Sequence, residues 1–366
     1  MKRVIRDSAK EDSAPVSAAA VAERIERDIL AGGFTHGDRF MTVREVARRC
    51  EASARTAYLG MRELAERKLL EFRHGSGTFV GPAAGHLKRG IRTVQLVIGP
   101  VGSLRGERLL VEGELEGLIN GLSGASVHVI CLPQKDTEAF LRDLVRRNES
   151  DPSVMGVVLI RVARAVRLFF SERKLPAVVI GHCEAGVELP QVDIDQRRLG
   201  REVARAMLDR AYRPLGLFMR ERWYPGDDLL LAGIQEVLSQ RSVPADHLYV
   251  HSLPAETILE KGLIRKLLSG PAHPRALICR TESAALASLA VTEELGLNVP
   301  ADVAVVSVAS TDFSIGRATP AVSGILCKGW ELGNGAADLL QRFIDGEPAE
   351  RLRVEIPTEL LMRGST

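Results

Sequence analysis

Apolar residues recur at helical spacing through the first part of the chain and then switch to alternation. Val21, Ile25 and Ile29 share one face of a helix that Gly32-Gly33 stops. Thr42, with Glu45 three places on, has the capping-box spacing for a second helix whose inner face is Val43, Val46, Ala47 and Cys50. Ser53 caps a third helix, on which Ala57, Met61 and Leu64 fall together and Arg55, Tyr58, Leu59 and Arg62 lie opposite. Leu70–Arg73 and Thr78–Val80 then read as two strands joined through His74-Gly75-Ser76-Gly77, where the glycines permit a tight turn. This order predicts a winged helix-turn-helix. The outer stripe of its third helix carries the donors that phosphates and base edges accept from.

Past residue 92 the pattern changes to short apolar runs alternating with helical stretches. Predicted strands are Val94–Ile98, Val127–Leu132, Val157–Ile160 and Ala177–Ile180, then Leu215–Met219, Leu248–His251, Ala276–Cys279 and Val303–Val308. Predicted helices between them include Leu109–Asn120, Glu138–Arg147, Arg198–Asp209, Asp228–Leu238 and Glu282–Leu295. Strand–helix alternation predicts an α/β body with parallel, doubly wound sheets. About eight such units exceed what one hydrophobic core holds, so two lobes are expected. The expected organisation is a loose tail over 1–16, a DNA-binding head over 17–81, a Gly/Pro/Lys/Arg linker over 82–92 and a two-lobed body over 93–366.

Charge supports this division. The chain of 366 residues has a net charge of only +2, but residues 1–90 hold 17 Lys and Arg against 12 Asp and Glu, while the remainder holds 32 against 35. A mildly basic head and a slightly acidic body suit a head that meets nucleic acid. The five cysteines (Cys50, Cys131, Cys183, Cys279, Cys327) are scattered without a Cys-x-x-Cys pair, and most sit in or beside apolar runs, so buried free thiols are expected. No run approaches the roughly 18 apolar residues of a membrane span. The opening Met-Lys-Arg-Val-Ile soon meets Arg6, Asp7, Lys10, Glu11 and Asp12, so no signal peptide is read there. A cytoplasmic protein without membrane partners is the expectation.

The body lacks the marks of an enzyme. No Gly-x-Gly-x-x-Gly opens a helix after a strand, and neither a Walker sequence nor a Gly-x-Ser-x-Gly elbow occurs. His182 and Cys183 are adjacent in an extended stretch and point to opposite faces, which reads as a loop polar group beside a buried thiol. The eight histidines show no metal-ligand spacing. Neither catalytic residues, a metal site nor a cofactor is predicted.

The head resembles the GntR family of bacterial repressors. The resemblance rests on Gly37-Asp38-Arg39-Phe40-Met41-Thr42-Val43-Arg44-Glu45-Val46-Ala47 and on Gly75-Ser76-Gly77-Thr78-Phe79-Val80, and covers roughly residues 17–81. It implies DNA contacts from Arg44, Ser53, Thr56 and His74, with Gly75 and Gly77 shaping the wing. Three positions depart from the family pattern: Met41 replaces the usual proline, Ala54 the arginine after the capping serine, and Tyr58 the second recognition-helix arginine. Arg55 is expected to take over base reading, with Tyr58, Arg62 and Ser76 completing the surface.

The body resembles the effector-binding module of the lactose/galactose repressor family, a relative of periplasmic sugar-binding proteins. Val192–Gly200, Ala276–Leu286, Gly296–Ser307 and the terminal Ile356–Thr366 carry the resemblance. It implies a sequence-specific regulator, expected as a repressor and a homodimer on double-stranded operator DNA, controlled by a small polar effector such as a sugar derivative. The positions that hold a sugar in that family have mostly changed. Leu230 stands where an arginine is usual, Thr281-Glu282 replaces Asn-Asp, and Ala309 or Ser310 replaces an aspartate. Asp195 remains, and Trp223, Tyr224, Arg280, Glu282 and Asp312 are added as candidate ligand residues, with Leu230 leaving an apolar wall. Arg280 among acidic partners favours a charged polar molecule over a neutral sugar. The alternative is a body that only dimerises and has lost its effector.

Overall fold

The computed structural model describes residues 16–31, 34, 36–73, 75–86, 91–100, 111–122, 124–149, 154–310 and 315–366. His74 and Asp312, and most of the expected tail, lie outside the described residues. The chain divides into two compact units, one ahead of Ile91 and one from Ile91 onward.

The head is built from α1 (Ala18–Ala31), α2 (Val43–Arg49), α3 (Ala54–Glu66) and the antiparallel pair β1 (Leu70–Arg73) and β2 (Gly77–Val80). The capping box forms as its spacing predicts: Thr42 Oγ1 accepts from the Glu45 amide, and the Thr42 amide donates to Glu45 Oε2 at 2.7 Å. Ser53 caps α3 by accepting from the Thr56 amide at 3.0 Å. Val21, Ile25, Ile29, Val46, Ala57, Met61 and Leu64 are buried together. Arg49 clamps α2 to α1 through a two-pronged ion pair with Asp28, at 2.6 and 2.7 Å. At the wing, Gly75 and Gly77 take φ of +72° and +114°, the region that favours glycine.

The body has two lobes. In chain order the first lobe begins with β3 (Ile91–Ile98), α4 (Glu112–Gly121), β4 (Ser126–Cys131) and α5 (Thr137–Glu149). It continues with β5 (Val154–Ile160), α6 (Arg164–Glu172), β6 (Ala177–Ile180) and β7 (Gln191–Ile194). The second lobe has α7 (Gln196–Asp209), β8 (Leu215–Arg220), α8 (Pro225–Gln240) and β9 (Leu248–Leu253). It goes on through α9 (Thr257–Leu268), β10 (Ala276–Cys279), α10 (Glu282–Glu294), β11 (Ala304–Ser310) and β12 (Ser323–Leu326). The chain then returns to the first lobe for α11 (Gly329–Ile344) and β13 (Arg353–Ile356), and ends in the second with β14 (Leu360–Leu361). Sheet orders are β13-β7-β6-β5-β3-β4 and β14-β12-β11-β10-β8-β9, parallel throughout except for the β12–β14 pair.

Each sheet buries both faces, and the side-chain period of two assigns its residues. Leu96, Val158, Val178 and Val192 pack against α4 and α11, whereas Val97, Val157, Leu159 and Val179 meet α5 and α6. In the second lobe, Leu217, Met219, Ile278 and Val306 face α7 and α8, while Phe218, Leu277 and Val305 face α9 and α10. The chain crosses between lobes after β7, after β12 and after β13. The terminal residues lock the second sheet: buried Ser365 donates to the Val305 carbonyl at 2.6 Å and accepts from the Ser323 amide at 2.8 Å.

The structure adds elements that the hydrophobic pattern did not predict. Strands β7, β12 and β13 read Gln-Val-Asp-Ile, Ser-Gly-Ile-Leu and Arg-Val-Glu-Ile, too short and polar to signal alone, and they form by pairing with neighbours. Cys131 and Cys327 are exposed rather than buried; Cys183 and Cys279 are buried and all five thiols are free. Trp330 lies in the first turn of α11 and is 44% exposed. No helix of the described residues is long and apolar enough to cross a membrane.

Glycines set the closest helix contact in the first lobe. Gly113, Gly117 and Gly121 recur every four residues on α4; the first two meet the backbone of Gly329 and Gly333 on α11, and Gly121 faces Ala337 and Asn334. A Cβ on Gly117 would strike the Trp330 carbonyl and lie 2.7 Å from the Asn334 amide nitrogen. Gly117→Ala should therefore destabilise the body by about 1–3 kcal/mol, as overpacking does. Urea unfolding checks this, and an unchanged midpoint would show that the two helices separate without cost.

Candidate functional site

Parallel strands deliver the residues that follow them to one edge of the sheet, where crevices form. In both lobes several of these residues are polar or charged. Arg161 follows β5, His182 lies just past β6, Arg220 ends β8 and Arg280 follows β10. They converge on a cavity of about 150 Å³ between the lobes, walled also by Glu114, Asp193, Gln196, Tyr224, Asp227 and Lys328. Its smallness decides something at once: in this arrangement of the lobes it holds only a handful of heavy atoms.

Asp227 organises the second-lobe wall. It lies in the first turn of α8, where its Oδ2 accepts from the Tyr224 amide at 2.9 Å, and it is fully buried. Arg280 Nε donates to its Oδ1 at 2.5 Å, and Arg220 Nε lies 3.2 Å from its Oδ2. Burial alone would raise the Asp227 carboxyl, but Arg280 and then Arg220 outweigh it and hold it below the usual range. The Arg220 guanidinium also lies over the Tyr224 ring, 5.3 Å from its centroid. Arg280 Nη2 reaches Gln196 Oε1 at 3.4 Å, and Gln196 Nε2 donates to Asp193 Oδ1 at 3.1 Å. The polar chain thus runs from the second-lobe wall to the β7–α7 crossover.

The opposite wall has its own charges. Arg167, nearly buried, donates to the Val162 carbonyl at 2.9 Å and pairs with Glu184 at 2.8 Å. Arg161 takes a φ of +51°, strained for a residue with a side chain. Burial pushes Glu114 up, and burial together with Arg353 holds His182 below its ordinary value. The neighbouring Cys183 thiol is pushed up to about 12 by burial, so it stays protonated and no thiolate nucleophile arises beside His182. Among the described residues no cluster of His, Cys, Asp and Glu could hold a metal ion.

Of the residues expected to face the ligand, Arg280 and Tyr224 line the cavity. Three others are corrected in place. Asp195 caps α7 by accepting from the Arg198 amide at 2.8 Å, and does not line the cavity. Trp223 packs on the second-lobe core and donates its ring N–H to Ser252 at 2.9 Å. Glu282 sits in the first turn of α10, outside the lining. Leu230 leaves no apolar wall, because it is wholly buried in the core between α7 and the sheet. Asp193, Gln196, Arg220 and Asp227 also line the cavity, beyond the residues the sequence points to. Position at a strand's carboxyl end could have marked Arg220, but Asp227 reads in sequence as an ordinary helix cap.

On the head, Arg44, Ser53, Arg55, Tyr58, Arg62, Gly75 and Ser76 are exposed, and Thr56 and Gly77 are half-exposed. Ser53 and Thr56 hydroxyls bond each other at 2.8 Å, and Arg62 pairs along α3 with Glu66 at 3.2 Å. Tyr58 reaches across to the wing, its ring centroid 6.0 Å from that of Phe72.

Comparison with known proteins agrees with both halves of this architecture. Residues 17–80 match the bacterial regulatory proteins of the gntR family, and residues 208–366 match the periplasmic binding protein-like domain. Catabolite control protein A of Staphylococcus epidermidis is 22% identical over 238 residues, covering 64% of this chain and 69% of that protein. Among solved structures, a transcriptional regulator CelR–cellobiose complex superposes with a TM-score of 0.65 at 21% identity, over 86% of this chain and 92% of that one. A transcription regulator GntR from Chromobacterium violaceum gives 0.61 at 20% identity, over 75% and 99%. At these identities the structural likeness establishes the fold.

The raised carboxyl at the crossover yields a pH signature. Burial, partly offset by the bonds from Gln196 and the Ile194 amide and by Arg280, raises Asp193 to about 6. The folded chain therefore binds this proton more tightly than the unfolded chain does, and stability is lost as pH rises through the window from the ordinary value to about 6. Asp193→Asn keeps an acceptor at Oδ1 and removes the charge. It should stabilise the protein by about 1–3 kcal/mol at pH 7.5, with the gain closing by about pH 4. Thermal melts across this range check it, and a gain independent of pH would assign the effect to packing.

Proposed function

We propose that this chain, a DNA-binding transcription regulator with a GntR-type head and a periplasmic-binding-protein-like body, is a repressor whose grip on its operator is set by a small polar effector held between the lobes. The observation that carries this reading is the cavity at the strand ends, where Arg161, Arg220 and Arg280 face Asp193, Asp227 and Glu114. Charged and polar groups gathered around a partly open space at a doubly wound crevice suit a ligand with matching charges or hydroxyls. A charged sugar derivative, such as a sugar acid or amino sugar, fits the lining better than a neutral hydrocarbon-like molecule. The similar CelR structure is described as a cellobiose complex; a ligand of that size would require these lobes to open.

The mechanism follows from the crossovers. Strands β7, β12 and β13 each lead from one lobe to the other, so lobe closure bends the chain at Asp195, Cys327 and residues 357–359. A ligand bridging Arg161 on one wall to Arg280 on the other would favour the closed arrangement by its differential contacts. The reading includes a homodimer, so that two heads meet two half-sites. Exposed Ile119 and Val129 on one lobe, and Val250, Ile258 and Leu259 on the other, lie on or beside the edge strands β4 and β9 and support self-association there.

Two tests follow. In a thermal-shift panel of sugars, sugar acids and amino sugars on the full chain, at least one compound should stabilise the protein by ~2–3 kcal/mol at a hundredfold excess over its Kd. The shift should vanish in Arg280→Lys and Tyr224→Ala. A panel that shifts nothing, with operator binding indifferent to every compound, would favour a body that only dimerises. On the head, Arg55→Ala should weaken specific operator binding by about 1–3 kcal/mol and random-sequence binding less. Equal losses on both DNAs would make Arg55 a phosphate contact.

A further inference from the structure

The DNA-facing stripe of α3 is less polar than its task suggests. Arg55 and Arg62 stand near its two ends, with Tyr58 and Leu59 between them, and Phe72 of the wing adjoins Tyr58. Tyr58 is 47% exposed, Leu59 41% and Phe72 43%, far above the buried inner face of the same helix. Three large apolar side chains left in water on one continuous surface, among arginines, mark part of an interface. The opposite face of α3 already supplies the core, so packing within the head does not account for them.

We infer that Tyr58, Leu59 and Phe72 form an apolar reading patch for thymine methyl groups in the major groove, in a reading that rests on α3 being the recognition helix. Leu59 has no polar atom and cannot bond a phosphate or a base edge. The one apolar group that base pairs present in the major groove is the thymine C5 methyl. Phe72 packs against Tyr58 with ring planes tilted by 36°, and so props the tyrosine ring from the wing side. Phe72 is thus a positioning residue, and Tyr58 and Leu59 are the contacts. Arg55 and the other exposed arginines supply phosphate attraction and hydrogen bonding around the patch. The operator half-site should accordingly contain at least one essential thymine.

The test uses the full chain and a random duplex library, from which binding selects a consensus at fixed salt. Each consensus thymine is then replaced singly by deoxyuridine, which removes only the 5-methyl group, and Kd is measured by fluorescence anisotropy. For the wild type, at least one position per half-site should lose about fourfold, the worth of one buried methyl. In Leu59→Ala or Tyr58→Ala the same replacement should cost nothing further, and Phe72→Ala should reduce the loss. These side chains are exposed, so the variants should keep the wild-type melting temperature. If no deoxyuridine weakens binding, or every variant loses as much as the wild type, the thymine patch is wrong. If the chain selects no consensus at all, the sequence-specific reading of the head fails instead.

Discussion

A single buried carboxylate shared by two arginines governs the body's candidate site. Asp227 has no solvent exposure, so its charge is tolerable only because Arg280 and Arg220 both reach it. That necessity works in both directions. The two guanidiniums, themselves nearly buried, are held at the strand ends by the carboxylate and cannot swing away into solvent. Because Asp227 also caps α8 through the Tyr224 amide, the same group ties helix position to site electrostatics. The chain of bonds continues through Gln196 to Asp193, so it joins the second-lobe wall to a crossover.

The scaffold beneath these charges is built by close backbone approach. Glycines on α4 and α11 let those helices touch, and Gly200 on α7 and Gly233 on α8 do the same in the second lobe. Each contact joins a helix that follows a crossover, α7 or α11, to a helix native to its lobe. Two of the three crossovers, those after β7 and β12, are thereby anchored on their far side. Locally, the sheets are rigid because both faces are covered by apolar side chains.

The head solves a different problem with different means. Its fold rests on two helix caps, a small apolar centre and an ion pair, all of which point inward or along the helices. The outer surface of α3 and the wing carries exposed arginines together with Tyr58, Leu59 and Phe72. There the chain departs from the GntR pattern by placing Tyr58 where an arginine is usual, and the structure sets that ring against Phe72 rather than leaving it isolated. Charge attracts any duplex equally, whereas an apolar contact with a methyl group discriminates between bases.

How much was legible beforehand depended on the range of the interaction concerned. The caps at Thr42 and Ser53, the inner face of α3, the wing turn and the main parallel strands all follow from residues within a few positions of one another. The amino-acid sequence determined these by itself. The candidate site is legible only in part: Arg280 and Tyr224 line the cavity as the sequence suggests, while Asp195 caps a helix, Trp223 bonds Ser252, Glu282 lies outside the lining and Leu230 is in the core. Asp195 and Asp193 are two residues apart, yet one caps a helix and the other enters the cavity, because the chain leaves its strand between them. Asp227 and Arg280 are 53 residues apart, and nothing local to either reveals the pair. Tertiary structure decided those roles, because a buried charge takes its meaning from the opposite charge brought beside it, and only the packing of α8 against the ends of β8 and β10 within the second lobe brings it there.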